Sequence, residues 1–337
     1  MARFIGKRLA IMLITLVAAS FLVFAVSEFT PGSVARKTLG PYANQEQVDI
    51  LSQRLRSNDP LLIRYTRWLG IILGLEADPL QDKSLGLGFT DPRGARYFGN
   101  LGYSTLYKLP VNDVIWDRLS ATGLLAGLSF ALIVPLSLVV GVASGVRIGS
   151  KLDRGLSATS IVLTSIPEFA SGVFLTAFFV VLLGWLPGTS PLSTTGGWSV
   201  ASQMVLPVAV LVLYDFGYVA RMIRASVAEV VRRPYVRTAT LKGLSRRKVI
   251  MRHVLRNAMI APFTVLLLQV NFLLSGVVVT ELVFAYPGFG RMLLEASLFG
   301  DISVIEAATL VTLTIAILCQ LIGDLGYMVL NPRIRIS

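Results

Sequence analysis

Residues 122–146 read TGLLAGLSFALIVPLSLVVGVASGV, 25 consecutive positions without a charged side chain. At 1.5 Å per residue a helix of that length exceeds the hydrocarbon thickness of a bilayer, about 30 Å, whereas runs of roughly 10–14 apolar residues suffice for a soluble core helix. Comparable runs flank it: 9–29 before it, and 156–186, 204–222, 259–284 and 304–330 after it. The expected fold class is therefore an all-α membrane protein of six transmembrane helices. The third run contains Pro167 followed by Glu168 and is expected to be broken or kinked there. Across 337 residues, 54% are hydrophobic and only 15% charged, a balance that excludes an ordinary soluble domain.

The basic excess, a net charge of +12, is informative through its location. With the N-terminus cytoplasmic, the inner segments carry nineteen Lys and Arg, eleven of them between Arg221 and Arg256, against Arg291 alone in the two short outer loops. Both termini are thus expected inside. Arg3, Lys7 and Arg8 before the first apolar run imitate a secretory leader, with Ala25-Val26-Ser27 as its cleavage site. The run is too long for a leader's apolar region, and the segment reads as an uncleaved anchor. Cys319 lies within an apolar run and reads as a small packed hydrophobe.

Three regions follow: a first span over 1–29, an extracytoplasmic segment over 30–118, and a core of five spans over 119–337 that includes a cytoplasmic loop at 223–257. The outer segment mixes apolar patches such as Trp68-Leu69-Gly70-Ile71-Ile72 with turn signals such as Asp91-Pro92-Arg93-Gly94, and is expected to fold into a small cap.

The cytoplasmic loop is the most structured of the connections. Pro234 interrupts the helix that leaves the fourth span, and a second short helix can start there. Val236, Ala239 and Thr240 give it one weakly apolar face, Gly243 permits a left-handed turn, and Ser245 can cap the next helix. Helix, glycine turn and helix also describe a DNA-binding unit, but transmembrane helices on both sides keep this one out of a major groove, so no nucleic-acid partner is expected. The basic side chains suit anionic lipid headgroups.

The sequence Tyr235-Val-Arg-Thr-Ala-Thr-Leu-Lys-Gly-Leu-Ser245 resembles the coupling loop of ABC importer permeases in its dipeptide and oligopeptide form. Three further stretches share the resemblance: Thr280-Glu-Leu-Val-Phe-Ala-Tyr-Pro-Gly-Phe-Gly-Arg291, Asp324-Leu-Gly-Tyr-Met-Val-Leu-Asn-Pro-Arg-Ile-Arg335, and Asp59-Pro-Leu-Leu-Ile-Arg-Tyr-Thr-Arg-Trp-Leu-Gly70. The similarity covers nearly the whole chain. It implies a type I importer permease core that forms half of a pore for peptides or related solutes. It also implies that the short helix docks on a cytoplasmic ATPase through Tyr235, Arg237, Thr238, Ala239, Lys242, Gly243 and Leu244. The implied partners are a second homologous permease, one or two ATPase subunits and an extracytoplasmic solute-binding protein, all at a bacterial inner membrane. The chain departs from the family pattern in its extra length between Gly74 and Asn100 and in Asn100-Leu-Gly-Tyr-Ser104.

No GxxxxGK[ST] phosphate loop, HExxH, GxSxG or His/Cys cluster is present. Catalytic and metal-ligating residues are therefore expected to be none, with ATP and magnesium handled by partner subunits. The lone histidine, His253, reads as structural. Ionisable groups inside spans are costly unless they face a pathway or a partner, which singles out Asp215, Glu168 and Glu306 as pore or gate candidates. Gly141 and Gly145 form a GxxxG pair suited to close helix packing. A secondary transporter or channel is the alternative reading, followed by an intramembrane enzyme and a membrane scaffold.

Overall fold

The computed structural model describes residues 2–28, 34–40, 42–81, 91–194, 196–275 and 277–330. Regular structure among them is helical: α1 (Ala2–Glu28), α2 (Val34–Leu39), α3 (Gln45–Arg54), α4 (Leu61–Ile72), α5 (Val111–Gly145), α6 (Lys151–Ser165), α7 (Glu168–Thr176), α8 (Val200–Val231), α9 (Pro234–Leu241), α10 (Arg246–Lys248), α11 (Leu255–Ala258), α12 (Ile260–Ser275), α13 (Val278–Val283), α14 (Phe289–Phe299) and α15 (Ile302–Leu330). Five helical stretches are long and apolar enough to cross a bilayer, and α6 with α7 and its π-helical extension Ala177–Leu182 has the same apolar character but is bent by 91°, which brings the number to six where the bent pair is counted as one broken span. The bend falls at Ile166-Pro167, where the proline provides no N–H to continue the ladder. The end of the last motif, 331–335, and residues 82–90 of the lengthened loop lie outside the described residues.

The chain packs as two compact units, 1–120 with 291–315, and 121–290 with 316–337. In the first, α4 lies on α1. Tyr65 donates its hydroxyl to the Val17 carbonyl at 3.1 Å and shares a 2.8 Å bond with Ser20, within a cluster of Phe21, Phe24 and Trp68 rings. A capping box starts α3, with the Asn44 side chain accepting from Gln47 N–H at 2.8 Å and Gln47 Oε1 accepting from Asn44 N–H at 3.2 Å. Residues 91–110 fold without helices around buried side chains, and Asn112 at the start of α5 joins them. Asp91 takes bonds from Arg93 and Tyr97, and Asn112 donates to the Gly99 carbonyl while accepting from Leu101 N–H. Asp301 accepts from Ser104 at 2.6 Å and from Leu106 N–H at 2.9 Å, which joins this loop to the start of α15. The segment between the first two spans is thus folded over its described residues.

In the second unit α8 is the central helix and packs most extensively on α6, α7 and α12. Small residues set the approach. A Cβ on Gly217 would stand 2.4 Å from the Ser160 carbonyl oxygen, and Cβ atoms on Gly141 and Gly145 would meet Ile223 and Val227 at 2.7 and 2.8 Å. The GxxxG pair therefore seats α5 against α8. Asp153, 2% exposed at the start of α6, receives Arg224 from α8 through two parallel bonds of 2.5 and 2.8 Å and also accepts from Gly149 N–H.

Candidate functional site

The chain from α8 to α11 forms an elbow. Arg233 takes an extended conformation, φ −69° and ψ 142°, and Pro234 occupies the first helical position of α9, where its missing N–H costs nothing. Val236 and Ala239 are buried in the same core as Val227, Val249, Val254 and Ala258. The opposite face is open: Leu241 is 78% exposed and Tyr235 42%, with Arg237, Thr238, Thr240 and Lys242 also exposed. Among the expected docking residues, Ala239 therefore faces inward and anchors the helix, and Leu244 is half-buried against that core.

The helix closes in a Schellman motif. Gly243 N–H bonds the Thr240 carbonyl at 3.0 Å, and Leu244 N–H bonds the Ala239 carbonyl at 3.4 Å. Gly243 has φ +74° and open space where a Cβ would stand, so this position requires glycine for its backbone angle and not for room. Ser245 sits at the N-cap of α10, but its hydroxyl makes no capping bond. Residues 245–248 are exposed, so water can satisfy the first N–H groups in its place. A π-helical turn, Val249–Val254, then brings two buried valines five residues apart onto the inward side. Nine basic side chains are exposed along the elbow: Arg232, Arg233, Arg237, Lys242, Arg246, Arg247, Lys248, Arg252 and Arg256.

The three carboxylates expected to mark a pore or gate differ in role. Glu306 accepts from Ser27 at 2.6 Å and ties α15 to α1 in a buried contact. Glu168, first residue of α7, accepts from the N–H and hydroxyl of Thr280 and so holds the beginning of α13. Asp215 is 3% exposed, is bonded by Gln269, and keeps a second oxygen with no partner among the described residues. It borders an open cavity of about 320 Å³ between α6, α8 and α12. Of the three, Asp215 is the one with a buried carboxylate oxygen that has no hydrogen-bond partner among the described residues.

Glu281 was not singled out from the sequence and is fully buried. It accepts from Thr122 at 2.5 Å, while Phe289 N–H donates to that same threonine oxygen at 2.7 Å. A Cβ on Gly288 would lie 1.9 Å from the Glu281 carboxylate. The stretch from Thr280 to Gly290 is thus wrapped around one buried acid, and its glycines leave the space that the acid occupies.

The fold and the elbow define a polytopic membrane protein with an exposed, rigidly anchored surface helix. Residues 134–336 match the model of binding-protein-dependent transport system inner membrane components, and residues 1–126 match the N-terminal model of the same systems' membrane component. The chain belongs to this family of transport-system permeases. A putative peptide transport system permease protein of Brucella abortus is 30% identical over 99% of both chains. The glutathione transport system permease protein of Salmonella paratyphi A is 32% identical over 99% of both. An oligopeptide transport system permease protein of Bacillus subtilis is 29% identical over 99% of this chain and 100% of its own length. Among solved structures, the methionine ABC transporter MetNI in an inward-facing form is similar in fold, with a TM-score of 0.50, 18% identity, and coverage of 66% of this chain and 96% of that one.

Proposed function

We propose that this chain is one half of the pore of an ATP-driven, binding-protein-dependent importer for peptides or related small solutes. It sits in a bacterial inner membrane with both termini and the α8–α11 elbow in the cytoplasm. The observation that carries the reading is α9: a helix anchored by Val236 and Ala239 that presents Tyr235, Arg237, Thr238, Leu241 and Lys242 to water. An apolar side chain as exposed as Leu241 at the tip of a basic surface suits a protein groove, because a lone anchor in a pocket provides most of the affinity while rim charges orient the approach. In this reading the groove belongs to a separate ATPase subunit, which binds ATP and magnesium. A second, homologous permease completes the pore, and a solute-binding protein delivers cargo to the opposite face, where residues 30–118 lie.

Asp215 is the pathway residue in this reading, since an unsatisfied carboxylate oxygen beside a cavity is poorly suited to lipid. The docking claim is tested by isolating the affinity-tagged chain from membranes of cells expressing the whole transport system. The expected result is co-isolation of an ATP-hydrolysing subunit, lost on Leu241→Asp while the second permease is retained. Equal recovery of the ATPase by wild type and variant would contradict the role assigned to α9.

A further inference from the structure

The cavity beside Asp215 has a chemistry of its own. Its walls include Asp215 and Gln269, the aromatic rings of Tyr214, Tyr218 and Phe272, and Thr164, and none of its lining side chains among the described residues is basic. Tyr214 and Phe272 stack with ring centroids 6.2 Å apart at 25°. Thr164 turns its hydroxyl hydrogen to the Ser160 carbonyl of its own helix. Gln269 is 7% exposed and bonded to the carboxylate. What remains unused is one carboxylate oxygen, buried and partnerless among the described residues.

We infer that this cavity is a transit site for a protonated amine, held by the free oxygen of Asp215 and the faces of the surrounding rings. The inference rests on the pathway role proposed for Asp215 and names the chemical class that the pathway favours. An anion is disfavoured because the Asp215 carboxylate would repel it and no basic side chain among the described lining residues compensates. A purely apolar solute would leave the buried oxygen unsatisfied, which is costly for a desolvated carboxylate. An ammonium group provides N–H donors for that oxygen and positive charge for the aromatic faces, whose quadrupoles attract cations. The volume, about 320 Å³, accommodates the amino end of a small solute with its first side chain.

The test is carbodiimide labelling of the full chain in membrane vesicles, read residue by residue by peptide mass spectrometry, with the probes trimethylammonium chloride, whose tertiary amine forms no stable amide with the activated carboxyl, tert-butanol and sodium chloride. Buried Glu281 and Glu306 serve as internal standards. Trimethylammonium is expected to slow modification of Asp215 roughly tenfold once it fills about nine-tenths of the sites, with tert-butanol and sodium ineffective and the standards unchanged. Protection by tert-butanol equal to that by trimethylammonium, protection by neither, or an Asp215 that never reacts would each overturn the inference. No ATPase is needed for labelling, so a failure here is distinct from a failure of the importer reading, which the co-isolation experiment addresses separately.

Discussion

Two residues carry consequences that can be measured directly. Asp78 is 5% exposed in the segment between the first two spans, and burial lifts its carboxyl to about 6 against one opposing hydrogen bond from Leu80 N–H. A raised folded-state value means that the folded form holds the proton more tightly than the unfolded chain. The resulting stability is complete below the ordinary value of 3.8 and is lost as pH rises through 6. The span of that loss is at most roughly 3 kcal/mol, from 1.36 kcal/mol per pH unit. Hydrogen-exchange protection factors over residues 61–81, which are corrected for the intrinsic base catalysis of exchange, should therefore be higher at pH 5 than at pH 7.5, and Asp78→Asn should remove the difference; equal protection factors in the wild type would refute this. Asp91 and Glu295 are held below the usual carboxylate range by Arg93 and Tyr97, and by Tyr107 and Arg291, against the opposing effect of burial. Their contributions fade only under more acid conditions, outside the window compared.

Gly288 is the second such residue. An alanine there would drive its methyl into the Glu281 carboxylate and break the bond to Thr122, at a cost of about 2–4 kcal/mol for a disrupted buried polar contact. Gly288→Ala should lower the thermal midpoint of the detergent-solubilised chain by several degrees, and an unchanged midpoint would show that the acid is free to move. The sequence pattern exposed the glycines of this stretch but not their reason. Thr122 lies 159 residues from Glu281, and Arg224 lies 71 from Asp153, so neither pairing is visible to periodicity or local spacing. Arg224 read only as one more positive charge on an inner loop. The free oxygen on Asp215 was likewise invisible until α12 brought Gln269 to one side of it and left the other open.

At the level of elements, local chemistry was well expressed in the sequence. Pro234 at the first position of α9, the glycine at its end and the proline at the bend between α6 and α7 each act through backbone geometry that depends on immediate neighbours. Helix limits were less legible. The fourth apolar run, 204–222, continues as helix from Val200 to Val231, because hydropathy marks the lipid-facing part while the backbone hydrogen bonds extend into polar flanks. The apolar face expected over Val236, Ala239 and Thr240 is buried at the first two, whereas Thr240 is exposed, since the flank that turns inward is set by the core formed by α8 and the π turn.

The elbow yields its own prediction. Gly243→Val meets no atom, so its cost is confined to the left-handed backbone, about 1–2 kcal/mol, and insertion and span packing should be preserved. Coupling should nevertheless be lost, because α9 and α10 can no longer meet at the same angle. ATP-driven uptake is expected to fall at least roughly tenfold, whereas Gly243→Asn, a residue that tolerates this conformation, should retain most of it. Equal uptake by the valine variant and wild type would remove the glycine from the mechanism.

For the molecule as a whole, the distribution of order follows the task of each part. The unit built from 121–290 and 316–337 is organised around α8, with small residues, Asp153–Arg224 and the Glu281 knot fixing its helices. The unit of 1–120 and 291–315 gathers a long connecting segment onto α1 and the start of α15, an association between distant stretches that linear reading could not anticipate. One unit carries both the anchored elbow and the cavity beside Asp215, as the proposed transmission of force from a surface helix to a solute path would require.

The central claim is that this chain moves solute only when a nucleotide-hydrolysing partner acts on α9. Proteoliposomes carrying either the complete transport system with its binding protein or this chain alone can be offered a tripeptide library, and accumulation read by mass spectrometry. The account predicts uphill accumulation by the complete system that needs ATP on the α9 side, and none by the chain alone under a proton or sodium gradient. Gradient-driven accumulation by the isolated chain, with no nucleotide present, would contradict it.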